Sequence, residues 1–432
     1  MVEVSPFKGI TYNKEKIEDL DKVMCPPYDI IPSEMQDDLY EKHLYNFVRL
    51  ILGKQKPGDN EQDNRYTRAK KHFEEWIKES ILVESDKPAV FPYKINYELD
   101  GKKKTMNSFF ILLKLDRNYE KVRAHEKTLS GPKKDRLNLM RSCHANLEPI
   151  QLLYIDEEDK IRERIDEKID DSFIGVKGYD GFNHKIWKLE DEDLISWIEE
   201  KLNDEILFIA DGHHRYQTAI NYADEVREKT GNTDPDASFN YRMVILVNMF
   251  DEGLSILPTH RLIKKADVDV EGLVQDLEKY FTVEKKTIDS GNPEEKSQEV
   301  MKDIETKDEH KFAIYLKDKY YVLTLKDEDI MDNFAEDRSK TWRTLDVSIL
   351  HKIVIENMMG IDSNNLEDHV SYTREDERAV KMVDNGEFDF SIFMNPTKIE
   401  ELKKVADAGE HMPQKSTYFL PKMLSGLVAY KM

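Results

Sequence analysis

The chain has 432 residues, more than one compact core usually holds, so two or three domains or lobes are expected. Its 65 basic residues face 87 acidic ones, and the net charge of -22 disfavours general binding to nucleic-acid phosphates. The two cysteines, Cys25 and Cys143, are too few for a disulfide scaffold or a cysteine-rich metal site. No apolar stretch approaches 18 residues and the first residues lack a secretory pattern, so a cytoplasmic protein without a membrane segment is expected.

Hydrophobic periodicity in the first 120 residues predicts helices followed by a hairpin. Adjacent prolines keep the centre of "VMCPPYDII" out of a helix, and a helix with Ser33 as its N-cap is expected over residues 32–52. A second, amphipathic helix is expected over 65–82. The "DG" pair at Asp100 and Gly101 lies between two alternating runs and predicts a β-hairpin.

Residues 122–150 form a basic block in an acidic chain, and strands alternate with helices after it. The block contains His125, Glu126, Asp135 and Arg136. Beyond it, strands are predicted at 151–155, 181–189, 206–210 and 241–250, and helices at 156–169, 191–202 and 213–227.

These patterns predict an α+β protein with several lobes. Residues 1–263 are expected to form an N-terminal and central region, and residues 264–340, rich in Lys and Glu, a smaller α+β lobe. Residues 341–432 alternate again and are expected to pack back on the core.

The stretch "LFIADGHHRYQTA", residues 207–219, carries most of the functional signal. An apolar strand ends at Asp211 and Gly212, and a helix begins at His213. Unpaired N–H groups and the helix dipole attract anions to such a start, and Arg215 would add a full charge, so the stretch predicts a phosphate site. The alternative is structural, with Asp211 as an ordinary N-cap and the histidines as ordinary surface or core residues.

Two other interpretations of this stretch, a zinc site and a known nucleotide-binding or hydrolase motif, have less support. His213 and His214 are neighbours and point in different directions from a helix, and no HExxH spacing is present, so a zinc site is disfavoured. A Walker A loop, a kinase glycine-rich loop and a GxSxG elbow are also absent from the sequence.

The motif "ADGHHRYQTA" resembles the hallmark of the DUF1015 family, an uncharacterised archaeal and bacterial family. The resemblance extends to "CPPYDII", "RAHEKTLSGPKKDRLNLMRSCHANLEPIQLLY", "LPTHRLI", "LDVSILHKIV" and "MPQKSTYFLPKMLSGLV". It therefore covers the chain from its first thirty residues to its last fifteen.

The turn is also distantly similar to the phosphate-binding turn of ParB/sulfiredoxin-like proteins, which include free-serine kinases. That resemblance implies a strand-turn-helix phosphate site and an upstream catalytic glutamate, which Glu126 matches in chain order but not in spacing. His213 and His214 stand where sulfiredoxins have their cysteine, so sulfiredoxin chemistry is not expected. The acidic chain without a clear helix-turn-helix makes DNA binding unexpected as well.

The resulting hypothesis is phosphoryl transfer on a small metabolite, best matched by serine or phosphoserine, with ATP or ADP and Mg²⁺ as cofactors. Asp211, His213 and Glu126 are the predicted catalytic residues, and Asp211 and Glu126 the predicted Mg²⁺ ligands. The predicted phosphate- and nucleotide-binding residues are Gly212, His214, Arg215, His125, Lys134, Arg136, His260, Arg261, Lys415, Ser416 and Thr417. A phosphatase and a non-catalytic nucleotide-binding regulator remain alternatives, and "PTHRL" and "KSTY" are equally explained as turns.

Two geometric expectations follow from this hypothesis. His125–Glu126, Asp135–Arg136 and Asp211–Arg215 should converge on one cleft. Arg215 should be shielded from solvent and yet not paired with a carboxylate, so that its charge is available to a ligand. A phosphorylated small molecule and a nucleotide are the expected partners, without nucleic acid or membrane, and the oligomeric state is open.

Overall fold

The computed structural model describes residues 1–124, 130–171, 174–264, 268–288, 291–306, 308–362, 365–413 and 415–432. The strands are β1 Val4–Ser5, β2 Ile10–Tyr12, β3 Leu82–Glu84, β4 Phe91–Leu99, β5 Lys102–Lys114, β6 Val122–Arg123, β7 Ala145–Asn146, β8 Ile150–Tyr154, β9 Ile174–Lys177, β10 Asn183–Ile186, β11 Leu207–Asp211, β12 Tyr241–Asn248, β13 Ser255–Ile256, β14 His260–Ile263, β15 Phe281–Thr287, β16 Lys311–Leu316, β17 Lys319–Leu325, β18 Val370–Thr373, β19 Phe390–Met394, β20 Phe419–Leu420 and β21 Tyr430–Lys431.

The α-helices are α1 Ser33–Lys42, α2 Val48–Ile51, α3 Arg65–Lys78, α4 Ser130–Cys143, α5 Lys160–Asp166, α6 Glu192–Leu202, α7 His213–Thr230, α8 Val270–Leu277, α9 Pro293–Ile304, α10 Lys340–Arg343, α11 Asp346–Ile349, α12 Leu366–His369, α13 Asp376–Asp384 and α14 Ile399–Asp407. Short 3₁₀ turns lie at Leu20–Lys22, Tyr28–Ile30, Ser238–Asn240 and Glu328–Asn333, and a π-helix spans Leu350–Met358. The fold is α+β, as predicted. None of the described helices has both the length and the apolarity needed to cross a bilayer.

The described residues form two compact units. The first takes in those of 1–124, 128–255 and 421–432, and the second takes in most of 256–420. This division differs from the one expected from the sequence. Strands β15, β16 and β17 of the expected small lobe and strands β18 and β19 of the expected C-terminal region share one sheet, so residues 264–340 do not close a core of their own.

A mixed nine-stranded sheet forms the centre of the first unit. Its order is β6-β11-β8-β12-β5-β4-β10-β9, with β1 paired to β5. Strand β11 is parallel to β6 and β12 is parallel to β8, while the other pairs are antiparallel. A core of side chains including Ile111, Leu152, Ile198 and Leu246 packs on one face of this sheet. The sheet places the ends of β8 and β11 side by side, and Gln151 is paired with Asp211.

Local sequence explains several elements of the first unit. The predicted hairpin is confirmed, because Asp100 and Gly101 both have positive φ and join β4 to β5 in register. The helix predicted over 32–52 is interrupted after Lys42, and Ser33 is its first helical residue, preceded by Pro32, so the predicted N-cap was wrong. Asn46 breaks the helix because its buried side chain bonds to Lys22 O and Met24 O instead of facing solvent.

The second unit is built on a six-stranded antiparallel sheet of order β15-β17-β16-β19-β14-β18. Helices α9 and α13 pack against each other beside it and share a core that includes Val300, Tyr315, Val380 and Phe393. Strand β14, which holds His260 and Arg261, lies between β18 and β19, so both side chains are buried.

Candidate functional site

The predicted strand-turn-helix at residues 207–219 is confirmed: β11 ends at Asp211, and α7 begins at His213. Gly212 joins them with a φ of 94°, which L-residues with side chains rarely adopt. A Cβ at this position would lie 3.0 Å from Arg215 Nε, so the close approach of Arg215 also favours glycine here. The cap of α7 is Gly212 and not Asp211, so the interpretation of Asp211 as an N-cap was wrong, and no side chain of the cap residue covers the helix start.

Asp211 instead forms ion pairs with two cations. Its Oδ1 accepts from Lys422 Nζ at 2.6 Å, and its Oδ2 pairs with Arg215. Burial disfavours the charged carboxylate, but the charges of Lys422 and Arg215 outweigh it and hold the pKa of Asp211 well below its usual range. Asp211 therefore remains a carboxylate throughout the physiological range.

Arg215 is buried, as expected, but it is paired, which corrects the second geometric expectation. One terminal nitrogen donates to Pro149 O and the other to Asp211. Burial acts to lower the pKa of Arg215, and the Asp211 carboxylate raises it by more. These two partners stabilise the guanidinium in a low-dielectric interior, and Asp211 balances its charge.

Arg136, on α4, is the second buried arginine of this region. It pairs with Glu148 at 3.0 Å and with its neighbour Asp135, and its guanidinium lies 3.8 Å from the centre of the Tyr28 ring. Burial acts to lower the pKa of Arg136, but Glu148 and Asp135 raise it above the usual value. Burial raises the pKa of Tyr28 to about 12, although Arg136 and Arg215 oppose this shift.

A third buried arginine, Arg242 on β12, is partnered differently. Its NH2 group donates to the backbone oxygen of Glu148 at 2.7 Å, and among the described residues it forms no ion pair with a carboxylate. Burial and the nearby charge of Arg215 lower the pKa of Arg242 to about 9. Arg136, Arg215 and Arg242 all line one cavity of about 20 Å³, with Thr218 and Glu148 in the same wall.

The first geometric expectation is thus met for Arg136 and Arg215, which border the same cavity. A second cavity, of about 10 Å³, is lined by Pro27, Pro149, Gln151, Asp211, Arg215, Lys422, Met423 and Ser425. We call the residues in these contacts the charged cluster: Arg136, Arg215, Arg242 and Lys422 with Asp135, Glu148 and Asp211. Four buried cations meet three carboxylates there, in a chain whose net charge is -22.

The other predicted residues of the first unit are less informative. His213 is buried and His214 half-buried in the first turn of α7, whereas Lys134 is exposed on α4. His125 and Glu126 lie outside the described residues.

The remaining predicted residues belong to the second unit. His260 Nε2 bonds to Asp376 at 2.7 Å and its Nδ1 accepts from Met394 N, so both ring nitrogens are engaged. Arg261 donates to the carbonyl oxygens of Thr259 and Lys415, which brings the "PTHRL" and "KSTY" segments together. Ser416 is buried with its hydroxyl on Pro413 O, Thr417 is half-buried and Lys415 is exposed.

The described part of the cluster does not fit the predicted Mg²⁺ site. Both oxygens of Asp211 are held by cations, so a metal ion would have to displace Lys422 or Arg215. Across the described ranges, no group of three His, Cys, Asp or Glu side chains is arranged to hold a metal.

Sequence reasoning missed Glu148, Arg242, Lys422 and Gln151. Arg242 could have been identified from the sequence, because a single cation in the apolar strand "YRMVILVN" needs a buried partner. Lys422 could not have been identified in this way, because its partner Asp211 lies 211 positions away in sequence.

No curated protein matches this chain significantly. Among solved structures, a conserved hypothetical protein from Pyrococcus furiosus aligns with a TM-score of 0.34 at 14% identity, over 72% of this chain and 90% of that one. A free serine kinase in complex with AMP aligns with a TM-score of 0.34 at 14% identity, over 72% and 87%. SbnI with a C-terminal truncation, from Staphylococcus aureus, aligns with a TM-score of 0.36 at 13% identity, over 73% and 85%.

The family model described as "Protein of unknown function (DUF1015)" matches residues 4–348, a range that includes α4, β8 and the turn at Gly212. The chain belongs to this family.

Proposed function

We propose that the charged cluster is the phosphate-binding centre of a small-molecule phosphotransferase, which moves a phosphoryl group between a nucleotide and a metabolite hydroxyl. One observation carries this proposal: four cations are buried together beside a helix start whose cap residue is a glycine, although the chain as a whole is strongly acidic. Burying cations is unfavourable unless they are matched, and Arg242 contacts a carbonyl oxygen but no carboxylate among the described residues. A phosphoryl group supplies the missing negative charge.

The proposed reaction is a single transfer of a phosphoryl group from ATP to the acceptor hydroxyl. The acceptor oxygen forms a bond to the γ-phosphorus of ATP, the bond from that phosphorus to the bridging oxygen breaks, and ADP leaves. The acceptor proton passes to a base, for which His213 at the first position of α7 remains the predicted residue. Asp211 is a weak base because its pKa is held low, so we assign it to positioning Lys422 and Arg215.

Serine is the first acceptor to test, because the DGHHR turn resembles that of free-serine kinases. A phosphatase and a nucleotide-binding regulator use the same cluster and differ in their products. Location in the cytoplasm, a role for Glu126 and the absence of nucleic-acid binding also remain predictions.

The test is a product assay in both directions. The protein is incubated with Mg²⁺, ATP and L-serine, and separately with Mg²⁺, ADP and phosphoserine, and ADP, ATP, phosphoserine and free phosphate are measured. ATP formed from phosphoserine supports the transferase, free phosphate alone supports the phosphatase, and nucleotide binding without turnover supports the regulator.

The matched variants are Lys422→Met and Lys71→Met. Lys422 contacts Asp211 inside the cluster, whereas Lys71 is exposed on α3. Loss of Lys422 should weaken nucleotide binding about tenfold to a hundredfold, the equivalent of one charge-assisted hydrogen bond, and loss of Lys71 should not. Equal affinity in the two variants would argue against a phosphate site in this cluster.

A further inference from the structure

Gln151 is a buried glutamine whose side chain has no hydrogen-bond partner among the described residues. It lies on β8, only 3% of its surface is exposed, and both its Nε2 and its Oε1 lack a partner. Buried polar groups are nearly always hydrogen-bonded, so the amide of Gln151 requires a partner in the space beside it.

The unpaired amide faces the charged cluster. Gln151 is the register partner of Asp211 across β8 and β11, and it lines the cavity of about 10 Å³ together with Asp211, Arg215, Lys422 and Ser425. A cavity of this size holds a single atom of the size of a water oxygen.

We propose that Gln151 binds the hydroxyl group of the acceptor, and that the substrate class is therefore a small alcohol. The proposal rests on the proposed function of the same site. An alcohol hydroxyl both donates and accepts, so one oxygen satisfies Gln151 Oε1 and Nε2 together. A carboxylate or a phosphate would only accept, and an ammonium group would only donate, so each would leave half of the amide unpaired.

An adenine edge is the other common partner of a glutamine amide, because it presents a donor beside an acceptor. An adenine edge, however, would have to bring two nitrogen atoms into the single-atom cavity beside Gln151, whereas a hydroxyl brings one oxygen. The hydroxyl is therefore favoured, and the adenine alternative predicts a different kinetic signature.

The test uses the full chain and the variants Gln151→Met and Gln36→Met. Methionine keeps the shape of the side chain and removes both polar atoms. Gln36 serves as the matched control, because its amide donates to Leu52 O at 2.7 Å within the protein. Gln151→Met should raise the KM for the alcohol tenfold or more, leave the KM for ATP unchanged, and keep or raise the melting temperature, since two unsatisfied atoms are removed. Gln36→Met should lower the melting temperature and leave the KM for the alcohol unchanged.

Calorimetric binding separates this inference from the proposed function. L-serine is compared with L-alanine, and ethanolamine with ethylamine, on the wild type and on Gln151→Met. We expect the wild type to prefer the hydroxylated member of a pair and Gln151→Met to lose that preference. If this holds without phosphoryl transfer, the proposed function fails and the assignment of Gln151 stands.

Three results would overturn the assignment. One is that the wild type prefers neither L-serine nor ethanolamine over its deoxy counterpart. Another is that Gln151→Met lowers the melting temperature with an unchanged preference, as a structural glutamine would. The third is that only the KM for ATP rises, which is the signature of adenine binding.

Discussion

Arg136 and Arg215 of the first unit are stabilised differently from Arg261 of the second unit. Arg136 and Arg215 of the first unit contact carboxylates, and these raise the pKa of both guanidiniums although burial acts in the opposite direction. Arg261 of the second unit has none of its surface exposed, and within the described part of the chain it contacts two carbonyl oxygens, the Met394 sulfur and the Tyr372 ring but no carboxylate. Burial therefore lowers its pKa to about 10. Removing a carboxylate from the charged cluster should therefore leave an unpaired guanidinium in the interior. Replacing Arg261 with an apolar residue instead removes the buried charge itself.

The largest effect is expected from Glu148→Ala. Glu148 is 4% exposed and pairs with Arg136 at 3.0 Å, so its loss leaves a buried guanidinium with Asp135 as its remaining carboxylate. The free energy of unfolding, measured with urea, should fall by about 3–5 kcal/mol. The control Glu225→Gln removes a more exposed pair with Arg141 and should change it by less than about 1 kcal/mol. Similar losses in both variants would remove the distinction between the cluster and the surface.

The Asp211→Asn variant tests the ion pairs of Asp211 through the pH dependence of the free energy of unfolding. The folded pKa of Asp211 lies well below that of the unfolded chain, about 3.9, so the carboxylate contributes stability above that value and loses it as the pH falls through the folded pKa. At pH 7 the variant should be less stable than the wild type by about 1.5–3 kcal/mol, and the difference should shrink below about pH 4. Urea unfolding at pH 7 and pH 3 checks this, and a difference that does not depend on pH would contradict the ion pairs.

Gly212→Ala tests whether the turn that carries the cluster depends on glycine. Gly231, at the other end of α7, also has positive φ, and a Cβ there meets nothing within 4 Å. Gly231→Ala should therefore show only the backbone cost, about 1–2 kcal/mol. Gly212→Ala should cost more, because its Cβ would also displace Arg215. If chemical denaturation gave the same loss of unfolding free energy for both variants, Arg215 would be able to move away from the added Cβ at no cost.

The smallest effect is expected from Arg261→Met. The variant exchanges a buried cation that has no carboxylate partner among the described residues for an apolar side chain of similar length, so the free energy of unfolding should change by about 1 kcal/mol or less, in either direction. The same exchange at Arg136 leaves Glu148 and Asp135 without their partner and should be clearly more destabilising. If Arg261→Met proved the worse of the two, the carbonyl contacts of Arg261 would matter more than the carboxylate pairs.

The parts of the fold that local sequence dictates were predictable. Asp100-Gly101 requires a tight hairpin, and Asn64 caps α3 as helix rules demand. The interruption between α1 and α2 was not predictable, because it depends on Asn46 bonding to Lys22 and Met24 more than twenty positions away. Likewise, the division into two units could not be predicted, because strands far apart in sequence pair in one sheet.

The same limit applies to the candidate site. The strand, the glycine turn and the start of α7 are consecutive in sequence, so the position of the turn could be predicted from residues 207–219 alone. Whether Arg215 is free or paired depends on Pro149 and on the orientation of Asp211, and these follow from the pairing of β8 with β11. Charge matching across a sheet cannot be deduced from the order of the charges in the chain.

The return of residues 421–432 to the first unit has a consequence for how the protein is made. Lys422 reaches Asp211 only after the whole second unit has been synthesised, and β21 pairs with β7 still later. On the ribosome, β11 and α7 therefore emerge long before the cation that completes the ion pairs of Asp211. A nascent chain stalled within residues 256–420 holds Asp211 against Arg215 alone, so the last dozen residues close the first unit in a late, long-range step.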